Sequence, residues 1–149
     1  MPDVRGCPLP DDLLYDVDNH IWFKEVGDGT VKLGMTTVAT AMAGQLVAFT
    51  PKKAGRSVDA GKSCATVESG KWVGPAKSAV AGSVVSVNEE MVGKPSLANE
   101  DPYGAGWMVI LKPADWAAVK PTLTPGSQVA PKYEAKMAAD GFAGCRCAP

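Results

Sequence analysis

Short runs of alternating apolar and polar residues dominate the chain and predict strands. In the run 30–35, Val31, Leu33 and Met35 occupy every second position, so they share one face of a strand. Similar runs bounded by turn residues predict further strands within 13–26, 45–50, 63–67, 83–87 and 107–111. Many short strands with no helix-length parallel crossovers are typical of an all-β sandwich or barrel.

A few segments are helical in character. Residues 36–44 and 113–119 predict short helices, and Asn88 is a suitable cap for one helical turn over 88–92. Residues 131–140 predict a surface helix that ends at Gly141. Its weak apolar stripe is formed by Tyr133, Ala135, Met137 and Ala138.

Composition narrows the functional class. A chain of 149 residues predicts one domain with a sizeable core. The net charge is −1, with 15 basic and 16 acidic side chains, which disfavours nucleic-acid binding. No apolar run approaches the roughly 20 residues that cross a bilayer, and the N-terminus has no apolar signal-like region. We therefore expect a cytoplasmic protein with neither nucleic acid nor membrane as a partner.

One lysine stands out at a turn. The sequence Glu68-Ser69-Gly70-Lys71 interrupts strand-like runs and places Lys71 at the tip of a predicted hairpin. Gly70 is expected to give the backbone the freedom to turn. A lysine presented in this way suits covalent attachment of a swinging cofactor.

Several strings with matching order and spacing resemble the H protein of the glycine cleavage system over about residues 13–125. The most specific runs from Pro95 to Trp107 and contains Asn99-Glu100-Asp101-Pro102-Tyr103-Gly104-Ala105-Gly106-Trp107. The others are Asn19-His20-Ile21-Trp22, the run 27–36, which begins at Gly27 and contains Gly34, and the run 82–89.

This resemblance implies a lipoyl carrier without catalytic activity, in which lipoate is joined by an amide to Lys71. It implies a lipoyl-type flattened barrel sandwich of two antiparallel sheets with short helices and a C-terminal helix. We expect an N-terminal arm at 1–12, the lipoyl domain at 13–125 and a C-terminal helix and tail at 126–149. Glu68, Ser69 and Gly70 flank the acceptor and are expected to be recognised during cofactor attachment by lipoate ligase and lipoyl synthase.

Two departures from the H-protein pattern suggest a related carrier with another cargo. After Lys71 the family has a serine, an aspartate and a tyrosine where this chain has Gly74, Pro75 and Lys77, and the segment after Thr36 lacks the family's Asp-Tyr pair. A cation beside the arm suits an anionic cargo. The chain therefore most resembles the lipoate-binding protein of bacterial sulfur oxidation, which serves a heterodisulfide-reductase-like complex and is thought to carry sulfur intermediates.

The alternative is an orthodox glycine cleavage H protein. It would carry the aminomethyl group between glycine decarboxylase, aminomethyltransferase and dihydrolipoyl dehydrogenase. Two further classes stay open: an independent thiol enzyme and an interaction module whose lysine is unmodified. A biotin carrier is disfavoured, because Lys71 lies between Gly70 and Trp72 rather than between two methionines.

The cysteines and the single histidine have less specific patterns. Cys64 lies in a predicted strand and is expected to be a small core residue. Cys7, Cys145 and Cys147 lie near the ends, and Cys145 and Cys147 are candidate redox-active residues that could exchange with a lipoyl dithiol. Neither they nor His20 have metal-site spacing, and His20 is expected to be structural. Other side chains have expected structural roles: Trp22 and Trp107 in the core, Trp72 exposed, and Asn99 and Asp101 bound to turn amides.

Overall fold

The computed structural model describes residues 3–142, 144 and 145, and short antiparallel strands form most of it. Strands account for 37% and helices for 27%, which confirms the mainly β two-sheet sandwich with a C-terminal helix. The main sheet stays open and does not close into a barrel. The strands are β1 Asp3–Val4, β2 Cys7–Pro8, β3 Leu14–Asp16, β4 Ile21–Glu25, β5 Val31–Met35, β6 Leu46–Pro51, β7 Ser57–Val58, β8 Lys62–Ser69, β9 Val73–Ser78, β10 Gly82–Val87, β11 Val109–Pro113 and β12 Thr124–Pro125.

Two sheets enclose the main core. Seven strands form the larger sheet in the order β12-β3-β4-β5-β11-β10-β7, and three form the smaller sheet in the order β6-β8-β9. In β5, Val31, Leu33 and Met35 are buried, as the alternation predicts, and they share one cluster with Phe49 and Val67 of the smaller sheet. This burial stabilises the sandwich and holds the β8–β9 hairpin against the larger sheet.

Strand β9 occupies a segment in which the sequence pattern predicts no strand. Gly74 and Pro75 there disfavour regular structure, yet Pro75 pairs with Thr66 of β8. The reason is that β9 is an edge strand, where proline does not have to donate a hydrogen bond to a further strand. The hairpin that carries Lys71 is therefore formed by β8 and β9.

The helices are short apart from the last one. They are α1 Thr37–Ala43, α2 Glu89–Gly93, α3 Leu97–Glu100, α4 Trp116–Val119 and α5 Val129–Asp140, with single 3₁₀ turns at Lys120–Thr122 and Gly126–Gln128. Asn88 caps α2 by accepting from the backbone of Met91, as expected. Pro113 ends β11 rather than opening α4, which is capped by Asp115 instead. No helix in the part of the chain described here is long and apolar enough to cross a membrane.

The two ends of the described chain meet at a second core. Residues expected to be an extended arm form the β1–β2 hairpin, and a disulfide joins Cys7 to Cys145. Helix α5 ends at Gly141 in the left-handed conformation, as predicted, but its buried stripe is Val129, Tyr133 and Met137 rather than one that includes Ala135 and Ala138. The members of this second core are Val4, Cys7, Leu9, Leu13, Tyr15, Trp22, Val38, Val129, Tyr133 and Met137.

Candidate functional site

Lys71 lies at the tip of the β8–β9 hairpin and is exposed. The turn is closed by a hydrogen bond of 2.7 Å from the Ser69 amide to the Trp72 carbonyl oxygen. The buried Ser69 hydroxyl accepts from the Lys71 amide at 3.3 Å. The lysine backbone is therefore fixed while its side chain remains accessible to solvent. Glu68, expected to flank the acceptor, is also exposed.

The expected role of Gly70 as a conformationally special residue is wrong. Gly70 is not among the glycines with positive φ, and a Cβ added there would contact nothing within 4 Å. The turn instead closes through Ser69, whose hydroxyl accepts from the Lys71 amide and donates to the Trp72 carbonyl oxygen, both of which follow Gly70 in the chain. Gly70 is exposed and leaves the space beside Lys71 open.

A different glycine, Gly44 at the C-cap of α1, lies against the Lys71 side chain. Gly44 has a φ of +85°, and a Cβ added there would lie 3.2 Å from Cε of Lys71. The stem of Lys71 therefore passes over the end of α1. Asn99 holds this end in place: its Nδ2 donates to the Gly44 carbonyl oxygen at 3.0 Å, and its Oδ1 accepts from the Leu46 amide at 2.9 Å.

Asn99 was expected to bind turn amides. It does accept from one amide, that of Leu46, but Leu46 lies in another segment of the chain. Asp101 binds locally, accepting from the Ala105 amide at 3.0 Å. The Asn-x-Asp string thus stabilises both its own turn and the segment beside Lys71. Sequence reasoning missed this second role, because the contact joins residues 53 to 55 positions apart.

A cavity of about 650 Å³ opens beside Lys71. Its walls come from both sheets, from α1 and from the β3–β4 turn, and they are mostly apolar. The lining residues are Asp18, Asn19, His20, Ile21, Met35, Ala39, Met42, Ala43, Val67, Lys71, Trp72, Pro75, Ala76 and Lys77. An elongated group attached to Lys71 has an apolar surface available within this cavity.

Charged groups lie at the cavity rim. Lys77, which sequence comparison placed near the arm, lines the same cavity as Lys71, and Asp18 lines it from the β3–β4 turn. Neither lysine makes an ion pair within the described part of the chain. Trp72 is 41% exposed, as predicted, and its ring lies so close over Gly74 that an added Cβ would clash with it.

His20 also lines the cavity, and α5 holds it. Its Nδ1 lies 3.1 Å from the Tyr133 hydroxyl, and the two rings stack with centroids 5.6 Å apart. Burial lowers the pKa of His20, so the neutral imidazole is favoured. His20 has a φ of +58°, an uncommon value for a non-glycine residue that surrounding contacts must maintain.

Cys145, one of the two candidate redox residues, does not line this cavity. Cys145 is bonded to Cys7, and its sulfur lies 3.7 Å from the Thr37 carbonyl oxygen, at the far end of α1 from Gly44. Cys147 lies outside the described residues. Cys64 is fully buried in the main core as predicted, and burial raises the pKa of its thiol to about 12.

The β-sandwich, the single lysine at a hairpin tip and the adjoining apolar cavity define a class of protein: a carrier domain that holds a cofactor on a lysine side chain. Comparison with protein families is consistent with that class. The model of the family described as glycine cleavage H-protein matches residues 13–136. The chain belongs to this family, whose members carry lipoate on a lysine.

Individual relatives agree. Glycine cleavage system H protein 5 of Aquifex aeolicus is 50% identical over 134 residues, covering 87% of this chain and 90% of that protein. The glycine cleavage system H protein of Mycobacterium avium is 38% identical, covering 78% and 87%. The crystal structure of a glycine cleavage system H protein from Mycobacterium marinum superposes with a TM-score of 0.71 at 32% identity, covering 89% of this chain and 98% of that one.

Proposed function

We propose that the chain is a non-catalytic lipoyl carrier of the glycine cleavage system, with lipoate in amide linkage to Lys71. The observation that carries the proposal is the position of Lys71, exposed at a rigid hairpin tip and beside an apolar cavity. The residues fit the group, because Lys71 makes no ion pair with a described residue and its stem already lies along Gly44. The carrier unit is proposed to span residues 13–125.

Each part of the site has a definite task in such a carrier. Lipoate supplies a dithiol–disulfide pair that accepts and passes on a group. Lys71 provides the tether and loses its charge on forming the amide. Ser69 and Asn99 fix the two backbone segments that meet under the tether. The apolar wall of the cavity offers a surface against which the lipoyl chain can pack, and it is formed by Ile21, Met35, Ala39, Ala43 and Val67.

The names of the relatives support the glycine-cleavage alternative over the sulfur-oxidation expectation. The proposed partners are accordingly glycine decarboxylase, aminomethyltransferase and dihydrolipoyl dehydrogenase, together with lipoate ligase and lipoyl synthase. We propose that these encounters take place in the cytoplasm.

One observation favours a second candidate cargo. Lys77 adds a cation to the cavity wall, and after modification of Lys71 it is the remaining lysine there. A lysine cation attracts a cargo that is a sulfur oxyanion, whereas it repels a cargo that carries an ammonium group. The second candidate is therefore a sulfur carrier that works with a heterodisulfide-reductase-like complex.

The experiment is an intact-mass measurement on lipoylated protein before and after incubation with a bacterial glycine decarboxylase and glycine. The glycine-cleavage proposal predicts a further mass gain by one aminomethyl group on the lipoylated form. An authentic H protein loaded in parallel is the control. A lipoylated chain that stays unloaded while the control is loaded contradicts the proposal, and the assay is then repeated with sulfane-sulfur donors.

A further inference from the structure

A disulfide ties the first hairpin of the described chain to its last described segment. Cys7 and Cys145 are separated by 138 positions, and their Cα atoms are 5.1 Å apart. Cys7 is fully buried, whereas Cys145 is only partly buried. Of the two sulfurs, that of Cys145 is therefore the one that a reagent from solvent is expected to attack, with Cys7 as the leaving thiolate.

Apolar contacts also join these two segments, since Val4 and Leu9 share the second core with Tyr133 and Met137 of α5. The polar contacts between them are partly exposed. Arg5 donates to the Phe142 carbonyl oxygen at 2.7 Å and pairs with Glu134, and its carbonyl oxygen accepts from the Cys145 amide at 3.0 Å. The Glu134 side chain is 54% exposed, and an ion pair of that kind contributes little to stability. The disulfide is thus the one covalent link, among the described residues, that adds to this packing between the C-terminal segment and the β1–β2 hairpin, and it is the link that a reductant can break.

The same C-terminal segment reaches the cavity through Tyr133. Tyr133 is fully buried on α5 and contacts His20 by its hydroxyl and by ring stacking. His20 lies in the wall of the cavity beside Lys71. Because His20 adopts a left-handed backbone conformation, it depends on such contacts to stay in place. A displacement of α5 would therefore be transmitted to the cavity wall.

We propose that Cys7 and Cys145 form a redox-sensitive clasp, which in its closed state holds α5 against His20 and so fixes the wall of the cavity beside Lys71. The consequence for a lipoyl arm rests on the proposed function, whereas the clasp itself does not. In reducing compartments a protein disulfide is usually transient or redox-sensing, which suits a clasp that opens.

The chemistry is thiol–disulfide exchange. A dithiol reductant attacks Cys145 as a thiolate, the Cys7–Cys145 bond breaks, and a mixed disulfide forms. The second thiol of the reductant then attacks the mixed disulfide and releases Cys145. Two electrons and two protons have thus passed to the two cysteines, and the reductant has become a disulfide. A disulfide oxidant closes the clasp by the reverse exchange. Cys64 takes no part, because it is buried and its raised pKa of about 12 keeps it a thiol.

The first test maps the bond in full-length, unlipoylated protein purified without reductant. Free thiols are alkylated under denaturing conditions before proteolysis, and the peptides are identified by mass with and without dithiothreitol. The expected result is a cross-linked pair containing Cys7 and Cys145 that disappears on reduction. Alkylated Cys7 in the unreduced sample, or Cys7 bonded to Cys147, would overturn the proposal.

The second test measures hydrogen exchange of the same protein with and without dithiothreitol. Opening the clasp is expected to reduce protection in α5 and at residues 18–21 by on the order of tenfold. Cys147→Ser should respond as wild type does, while Cys7→Ser should show the reduced protection of the open clasp with and without dithiothreitol. Unchanged exchange of wild type at 18–21 after complete reduction overturns the coupling, even if Cys7→Ser fails to fold. Neither readout depends on lipoylation, so these failures are distinct from failure of the carrier function.

Discussion

The carboxamide of Asn99 bridges the end of α1 to the start of β6, donating to the Gly44 carbonyl oxygen at 3.0 Å and accepting from the Leu46 amide at 2.9 Å. Gly44 in turn contacts the stem of Lys71. The most family-specific string in the sequence therefore supports the lysine from a distance, by fixing the backbone on which the lysine stem lies.

Replacing Asn99 with alanine should destabilise the fold and loosen this segment. Both backbone groups lose a partner, and each unsatisfied buried group costs about 1–3 kcal/mol. We expect the free energy of unfolding, measured with urea, to fall by at least about 1 kcal/mol. Asn19→Ala is the matched control, because Asn19 is exposed and bonds only to Asp16 in its own turn. Equal urea midpoints for the two variants would refute the bridging role.

Gly34 is expected to be intolerant of any side chain. A Cβ there would lie 2.8 Å from Cζ2 of Trp22, which is fully buried and donates from Nε1 to the Pro102 carbonyl oxygen at 2.9 Å. Because that ring is held on both sides, Gly34→Ala should lower stability by about 1–3 kcal/mol. Gly93→Ala, where nothing lies within 4 Å, should be neutral or stabilising by up to about 1 kcal/mol. Thermal unfolding of both variants checks this, and a Gly34→Ala protein as stable as wild type would contradict it.

His20 gives the fold a specific dependence on pH. Burial lowers the pKa of His20 below its usual 6.5, assisted by Lys136 and opposed by Asp140, Asp16 and Asp18. As the pH falls, His20 is therefore protonated at a higher pH in the unfolded chain than in the folded chain. The contribution of His20 is fully present above pH 6.5 and is lost as the pH falls from there through the lower folded-state pKa.

The His20→Asn variant isolates this effect. Asparagine tolerates the left-handed backbone and does not titrate, so the loss of stability between neutral and mildly acidic pH should be smaller than in wild type. Urea unfolding across that pH range measures the difference between the two proteins. If the free energy of unfolding falls with pH equally in wild type and variant, then folding does not change the pKa of His20.

Local patterns in the sequence predicted much of the sandwich. The alternation at Val31, Leu33 and Met35, the cap at Asn88 and the buried Cys64 each depend on neighbours along the chain, and the structure confirms them. Strand β9 was missed because Pro75 is a strand breaker except at an edge, and edge position is a property of the assembled sheet.

The site was predicted less completely, because its parts lie far apart in sequence. Lys71 and Lys77 could be placed together, since both lie on one hairpin. The bridge from Asn99, the contact of Tyr133 with His20 and the bond between Cys7 and Cys145 join distant segments. No local periodicity or turn signal encodes contacts between residues so far apart in sequence, so only the folded structure shows them.

Site-resolved mass spectrometry of protein produced together with lipoylation enzymes shows directly whether Lys71 is the lipoyl acceptor. One lipoyl group, on Lys71, is expected in wild type. The same is expected in Lys77→Arg, which alters the neighbouring cavity lysine on the same hairpin, and no lipoyl group is expected in Lys71→Arg. An unmodified wild-type chain, or a lipoyl group retained by Lys71→Arg, would show that Lys71 is not the acceptor.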